Sequence, residues 1–208
     1  MAYSLRLIED RLAAGADAPV PRPGAPRVLY AVSGTLLGAA AAGPVPAVGP
    51  ADPTARAGAD GARVYRVELV RQPPPAAGAR VLLEHPIDLA AGRSWLMRCD
   101  RVDFEPGGVA PLHRHRGGGI RCLLRGRLDV TVGEGAPRAV APGEAWFESG
   151  REPVLAVSSR ETETSFIRVS ILPAEILGQS SILYVDPADA GRGRPRRYTV
   201  YVDEPIAP

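Results

Sequence analysis

The stretch GGVAPLHRHRGGGIRCLLRG, Gly107 to Gly126, decides how the chain is read. His113 and His115 are separated by a single residue. Side chains alternate between the faces of an extended strand, so both imidazoles point one way and Arg114 the other. A glycine precedes the pair at Gly107, and an apolar run from Ile120 ends on Gly126. Two imidazoles side by side on one strand face hold one metal ion or line one polar pocket.

Strands are expected on both sides of this hairpin. Trp95–Phe104, Ile120–Leu124, Leu128–Val132, Ala145–Phe147, Val154–Val157 and Ser165–Leu172 are apolar or alternating runs, separated by GG, GEG, PGE and ESGRE turn signals. Arg27–Val32 and Arg63–Val70 read the same way nearer the start, and Ser181–Val185 and Tyr198–Val202 in the tail. No long window has a clean apolar stripe at helical period; RLIEDRLAA near the start comes nearest, and it is short.

The chain also contains itself twice. Residues 15–52 lie on 107–144 without a gap, an offset of 92. Gly15 falls on Gly107, Ala18 on Ala110, Pro19 on Pro111, Gly34 on Gly126, Leu36 on Leu128 and Pro50 on Pro142. RVLYAVSG then lies on GIRCLLRG. Further on, Ala62–Val70 lies on Thr164–Leu172 at an offset of 102, so the first copy is ten residues shorter (102 − 92). Opposite His113-Arg114-His115 the first copy has Pro21-Arg22-Pro23: scaffold without imidazoles. Antiparallel hairpins repeated in this way close into a sandwich or barrel, which hides strand edges.

Gly107, five residues, His113-x-His115, three residues to position 119 and then Gly126: this spacing resembles the first motif of the cupin superfamily. The resemblance implies an all-β chain of cupin-type jelly-roll β-barrels, in two tandem copies with the first shortened, as in bicupins. Residues 1–78 are then a degenerate first repeat with the Pro-rich linker QPPPAAG, and residues 79–208 a second barrel with a strand-forming tail. The chain departs from the family pattern at two places. Position 119, where a glutamate ligand is usual, is Gly119. The second motif falls within PGEAWFESGREPVLA, which keeps Pro142 and Gly143 but has no histidine near Pro153–Leu155. His85, the only other histidine, precedes the motif.

Catalytic metal sites usually use three protein ligands and an open position, so a pair of imidazoles needs a third donor. Glu148, after Trp146 and Phe147, is the candidate; otherwise it is a solvated turn residue or an arginine's partner. With His113 and His115 it would hold one divalent ion, Fe, Mn, Ni or Zn. The competing reading is a metal-free polar pocket. Arg121 interrupts an apolar strand on the same face as Gly119. Facing inward, it is a buried guanidinium needing an anionic partner, either Glu148 or a ligand carboxylate. Out of register, it faces solvent. Trp146, like Trp95, Phe147 and Phe166, packs in the core or walls the pocket. Cys122 alternates with Arg121 and reads as a small buried hydrophobe.

The net charge of +2 argues against a nucleic-acid partner. All 25 basic residues are arginine, and the one basic run, Arg192 to Arg197, lies among glycine and proline as a solvated loop. No apolar run approaches the roughly 20 residues that cross a bilayer, and the start has no signal-peptide core. Two cysteines make no disulfide framework, so reduced thiols and a cytoplasmic location are expected. No G-x-S-x-G elbow or phosphate-binding glycine loop is present. Three functions follow. One is a protein holding a small organic ligand, with Arg121, Trp146 and Glu148 around it. Another is a metal-dependent dioxygenase or isomerase. The last is a structural or sensory module forming a homodimer through strand edges.

Overall fold

The computed structural model describes residues 2–20, 24–38, 45–50, 54–73, 79–191 and 196–208. Pro21-Arg22-Pro23, most of the proline-rich linker, and Arg192 and Arg194 of the basic run lie outside them. The described residues form antiparallel strands and two short 3-10 turns, with no α-helix among them. The expected all-β chain is observed. Two compact units are present, one of Met1–Cys99 with Tyr201–Pro208, the other of Asp100–Val200. Residues 79–99, read from the sequence as the start of the second domain, belong to the first unit.

In the first unit one sheet has the order β3 (Ala47–Val48), β2 (Arg27–Gly38), β4 (Ala55–Val70), β1 (Ala2–Leu12) and β5 (Arg80–Asp88). RLIEDRLAA is thus part of a strand, and its helical look is accidental. Residues 5 to 10 are all buried, so neither face shows the polar alternation that marks a half-solvated strand. One cross-strand row carries alternating charge: Arg27 opposes Glu68, Glu68 opposes Arg6, and Arg6 opposes Glu84. Arg66, two residues before Glu68 on the same face, forks onto Asp10 with Nε–Oδ2 at 2.6 Å and Nη2–Oδ1 at 3.2 Å.

The second unit is a jelly roll. One sheet has the order β10 (Arg138–Val140), β9 (Leu128–Val132), β12 (Val154–Ser158), β7 (Val109–His115) and β14 (Ile182–Tyr184). The other has the order β11 (Ala145–Glu148), β8 (Gly119–Arg125), β13 (Thr164–Pro173), β6 (Trp95–Phe104) and β15 (Arg196–Ile206), and the boundary of the unit falls within β6 and β15. One core draws on both sheets: Phe104, Leu123, Trp146 and Phe166 from one, Ala110, Leu128, Val130 and Val154 from the other. Residues on the two inner faces meet as in any sandwich of twisted sheets.

One glycine pair matched by the repeat has the same local role in both copies. Gly34 and Gly126 both have positive φ, +75° and +77°. A Cβ on Gly34 would strike the carbonyl of Gly61, and one on Gly126 would strike the carbonyl of Glu163. Glycine answers both demands, since it adopts φ > 0 freely and lets another backbone approach.

Candidate functional site

β7 presents the imidazoles. A bulge lies between Ala110 and His113, because Ala156 opposes Ala110 whereas Val154 opposes His113. The extra residue shifts the alternation, so Ala110 joins His113 and His115 on the inner side. His113 Nδ1 lies 2.6 Å from the carbonyl oxygen of Pro111 within the bulge. A carbonyl only accepts, so Nδ1 carries a proton. The rings of His113 and His115 stand edge to face, 4.8 Å apart, and both residues are buried.

Opposite them the second sheet contributes two rows. Trp146 opposes Arg121, and Arg121 opposes Arg168; Glu148 opposes Gly119, and Gly119 opposes Ser170. Arg121 is only 1% exposed, so it faces inward. Its Nη2 lies 2.8 Å from Glu148 Oε2, and its Nη1 donates to the carbonyl of Gly119 at 2.5 Å. Glu148 is buried as well. Its Oε1 accepts from Trp146 Nε1 at 2.8 Å, and its Oε2 lies 3.5 Å from His115 Nε2. The reading of Glu148 as a solvated turn residue is therefore corrected: it is buried, ion-paired with Arg121 and hydrogen-bonded by the Trp146 indole.

Arg168, which the sequence reading passed over, completes the group. It forks onto Asp100 with Nε–Oδ1 at 3.1 Å and Nη2–Oδ2 at 2.8 Å. Its remaining nitrogen, Nη1, lies 3.4 Å from His115 Nε2. Tyr198 places its ring 5.9 Å from the guanidinium carbon. Two buried cations are thus balanced by two buried anions. Burial lowers the Arg121 guanidinium to about 10, with Glu148 opposing the drop and Arg168 adding to it. Burial works against Arg168 too, but the Asp100 carboxylate outweighs it and raises that guanidinium above its ordinary value. Both stay charged at neutral pH.

Arginines, imidazoles and Glu148 form the polar end of a pocket whose other walls are Phe104, Trp146, Phe166 and aliphatic side chains. The cavity between these walls is small, about 20 Å³. Trp146 packs edge to face on Phe166 at 5.4 Å, as expected of a pocket wall. Cys122 is buried beside Arg121 in sequence, so the opposite face of β8 is covered too. His85 opposes Leu5 in the first unit.

A family model for the cupin domain matches residues 100–155, the segment that carries β7, β8 and Glu148. Over those residues the second unit matches the cupin domain. Among solved structures, a putative glyoxylate-induced protein from Pseudomonas aeruginosa is 17% identical, with a TM-score of 0.52 over 82% of this chain and 75% of that one. A conserved protein of unknown function from the same organism is 12% identical, with a TM-score of 0.53 over 81% and 82%. A variant of salicylate 1,2-dioxygenase from Pseudoaminobacter salicylatoxidans, in complex with gentisate, is 11% identical, with a TM-score of 0.53 over 95% and 72%. At these identities the likeness is one of fold. No curated protein matches the sequence.

The cupin domain brings His113, His115 and Glu148 together, but not as a metal-ligating set. Among the described residues no group of three His, Cys, Asp or Glu side chains is placed to hold an ion. Glu148 and His115 have partners of their own. Glu148 Oε2 faces Arg121, Oε1 takes the indole N–H, and His115 Nε2 faces a guanidinium nitrogen of Arg168. A divalent ion there would sit against two cations in a low-dielectric pocket. The residues present do not fit a resident metal.

Arg168 was legible in principle. It interrupts the apolar run TSFIRVSIL as Arg121 interrupts GIRCLL, and a charge inside a buried strand asks for a partner. What the sequence lacks is the register that sets the two arginines opposite each other.

Proposed function

We propose that the cupin domain of the second unit binds a small organic carboxylate in its pocket, without a metal. His113 and His115 line one side, Arg121, Trp146 and Glu148 the other. Support comes from one observation: two buried guanidinium groups and two imidazoles converge on a pocket whose remaining walls are aromatic and aliphatic. Such a surface suits an anion with a short apolar body, because charge-assisted bonds to arginine orient the carboxylate and apolar walls take the rest. Little free space means a small ligand, or side chains that move aside for it.

The same reading takes the chain as two cupin-like copies with only the second equipped to bind, supported by the matched glycines. A cytoplasmic location and a homodimer belong to it as well. No helix among the described residues is long and apolar enough to cross a membrane.

Thermal unfolding with acetate, benzoate and pyruvate tests the proposal. At least one acid should raise the melting temperature of the parent protein and fail to do so in a His113→Ala, His115→Ala variant. Metal analysis after chelator-free purification separates the alternative of a dioxygenase or isomerase. Near-stoichiometric Fe, Mn, Ni or Zn that disappears in that same variant would overturn the metal-free reading.

A further inference from the structure

The arginine–aspartate fork occurs twice. Arg66 and Arg168 are repeat partners at the offset of 102, and each grips an aspartate through Nε and Nη2: Asp10 in the first unit, Asp100 in the second. The forks differ in what meets the third nitrogen. In the first unit Arg66 Nη1 donates to Glu68 Oε2 at 2.5 Å. Arg6 approaches the other oxygen of that carboxylate at 3.3 Å. In the second unit Arg168 Nη1 faces His115 Nε2 at 3.4 Å, beyond the usual 2.7–3.2 Å of an N–H donor. The repeat partner of Glu68 is Ser170, a buried residue two positions along β13 from Arg168.

From this we infer that Arg168 Nη1 is the receptor for the ligand's carboxylate, and that Glu68 does in the first unit what the ligand does in the second. The inference rests on the carboxylate-binding reading above and names the group that makes the contact. Arg121 is the weaker candidate, because Glu148 and the Gly119 carbonyl already engage it. Arg168 lines the pocket. Its fork to Asp100 fixes the guanidinium plane, so little rotamer freedom remains to be lost on binding. With Ser170 in place of glutamate, His115 Nε2 at 3.4 Å is the partner of that nitrogen, and a ligand carboxylate takes its place. His115 then turns from Arg168 toward the ligand or toward Glu148.

The test uses the full chain, with acetate and benzoate as probes, read by calorimetry and thermal shift. Arg168→Lys keeps the charge and loses the fork. Ser170→Glu installs in the second unit the carboxylate that the first unit has. Both should weaken probe binding at least tenfold, whereas Ser170→Ala should leave it within twofold. Circular dichroism checks folding, and Arg168→Lys decides if Ser170→Glu does not fold. Binding that survives Arg168→Lys and Ser170→Glu, but is lost in Arg121→Ala, overturns the inference and leaves the proposed function standing. Parent protein that binds neither probe overturns both.

Discussion

Arg121 and Arg168 stand directly opposite each other on β8 and β13, both buried and facing one pocket. Like charges in that position repel. Glu148 beside one and Asp100 beside the other restore neutrality, so the four groups act as one unit.

The Arg121–Glu148 pair should behave as a coupled pair in unfolding experiments. Breaking a buried pair leaves a bare charge, so Arg121→Met alone should cost about 3–5 kcal/mol. Adding Glu148→Gln removes that charge while keeping an acceptor for Trp146 Nε1–H. Urea unfolding of both singles and the double should give a coupling energy of roughly 2 kcal/mol or more. Coupling near zero would mean the pair is not formed.

Divalent ions should leave the protein unmoved. Fe, Mn, Ni or Zn added to 1 mM, or EDTA, should shift the melting temperature by less than about 1 °C, because a ligand that does not bind the native state cannot stabilise it. A dose-dependent rise sensitive to His113→Ala would contradict this.

Gly126 should not accept a side chain. Its φ of +77° and the carbonyl of Glu163 above it give alanine both backbone strain and a clash. Gly126→Ala should therefore cost about 1–3 kcal/mol. Gly34→Ala should cost a similar amount, since the matched glycine meets the carbonyl of Gly61 in the same way. A clear inequality in chemical denaturation would mean that the two positions are not equivalent.

Acid should weaken the Glu9–Arg63 pair of the first unit. A hydrogen bond from Arg63 Nε, at 2.8 Å, holds the Glu9 carboxyl below its ordinary value. A depressed folded value means that stability is present above the ordinary value near 4.5 and is lost as pH falls through the folded one. Arg63 is partly exposed, so the advantage over Glu9→Gln at pH 7 should be under about 1 kcal/mol. It should shrink as pH falls below 4.5 and through the folded value. A constant difference across the series would remove Glu9 from the titration.

Much of the fold was legible because turns and alternation are local. Leu128–Val132 and Trp95–Phe104 are strands with the bounds the sequence suggested, and Ala145–Phe147 extends by one residue to Glu148. β1 was not legible, since burial of both its faces erases the period of two. At the site, His113 and His115 follow from spacing alone. The engagement of Glu148 by Arg121, and the presence of Arg168 and Asp100, depend on which strands lie side by side. That is a long-range matter which one strand's residues do not encode.

Gly119 carries a consequence for any substitution at the site. A Cβ there would lie 2.5 Å from the Val169 carbonyl and 2.7 Å from Ser170 Oγ, so β8 and β13 pass each other at a position with no side chain. Any residue but glycine at 119, an acidic one included, would prise those strands apart.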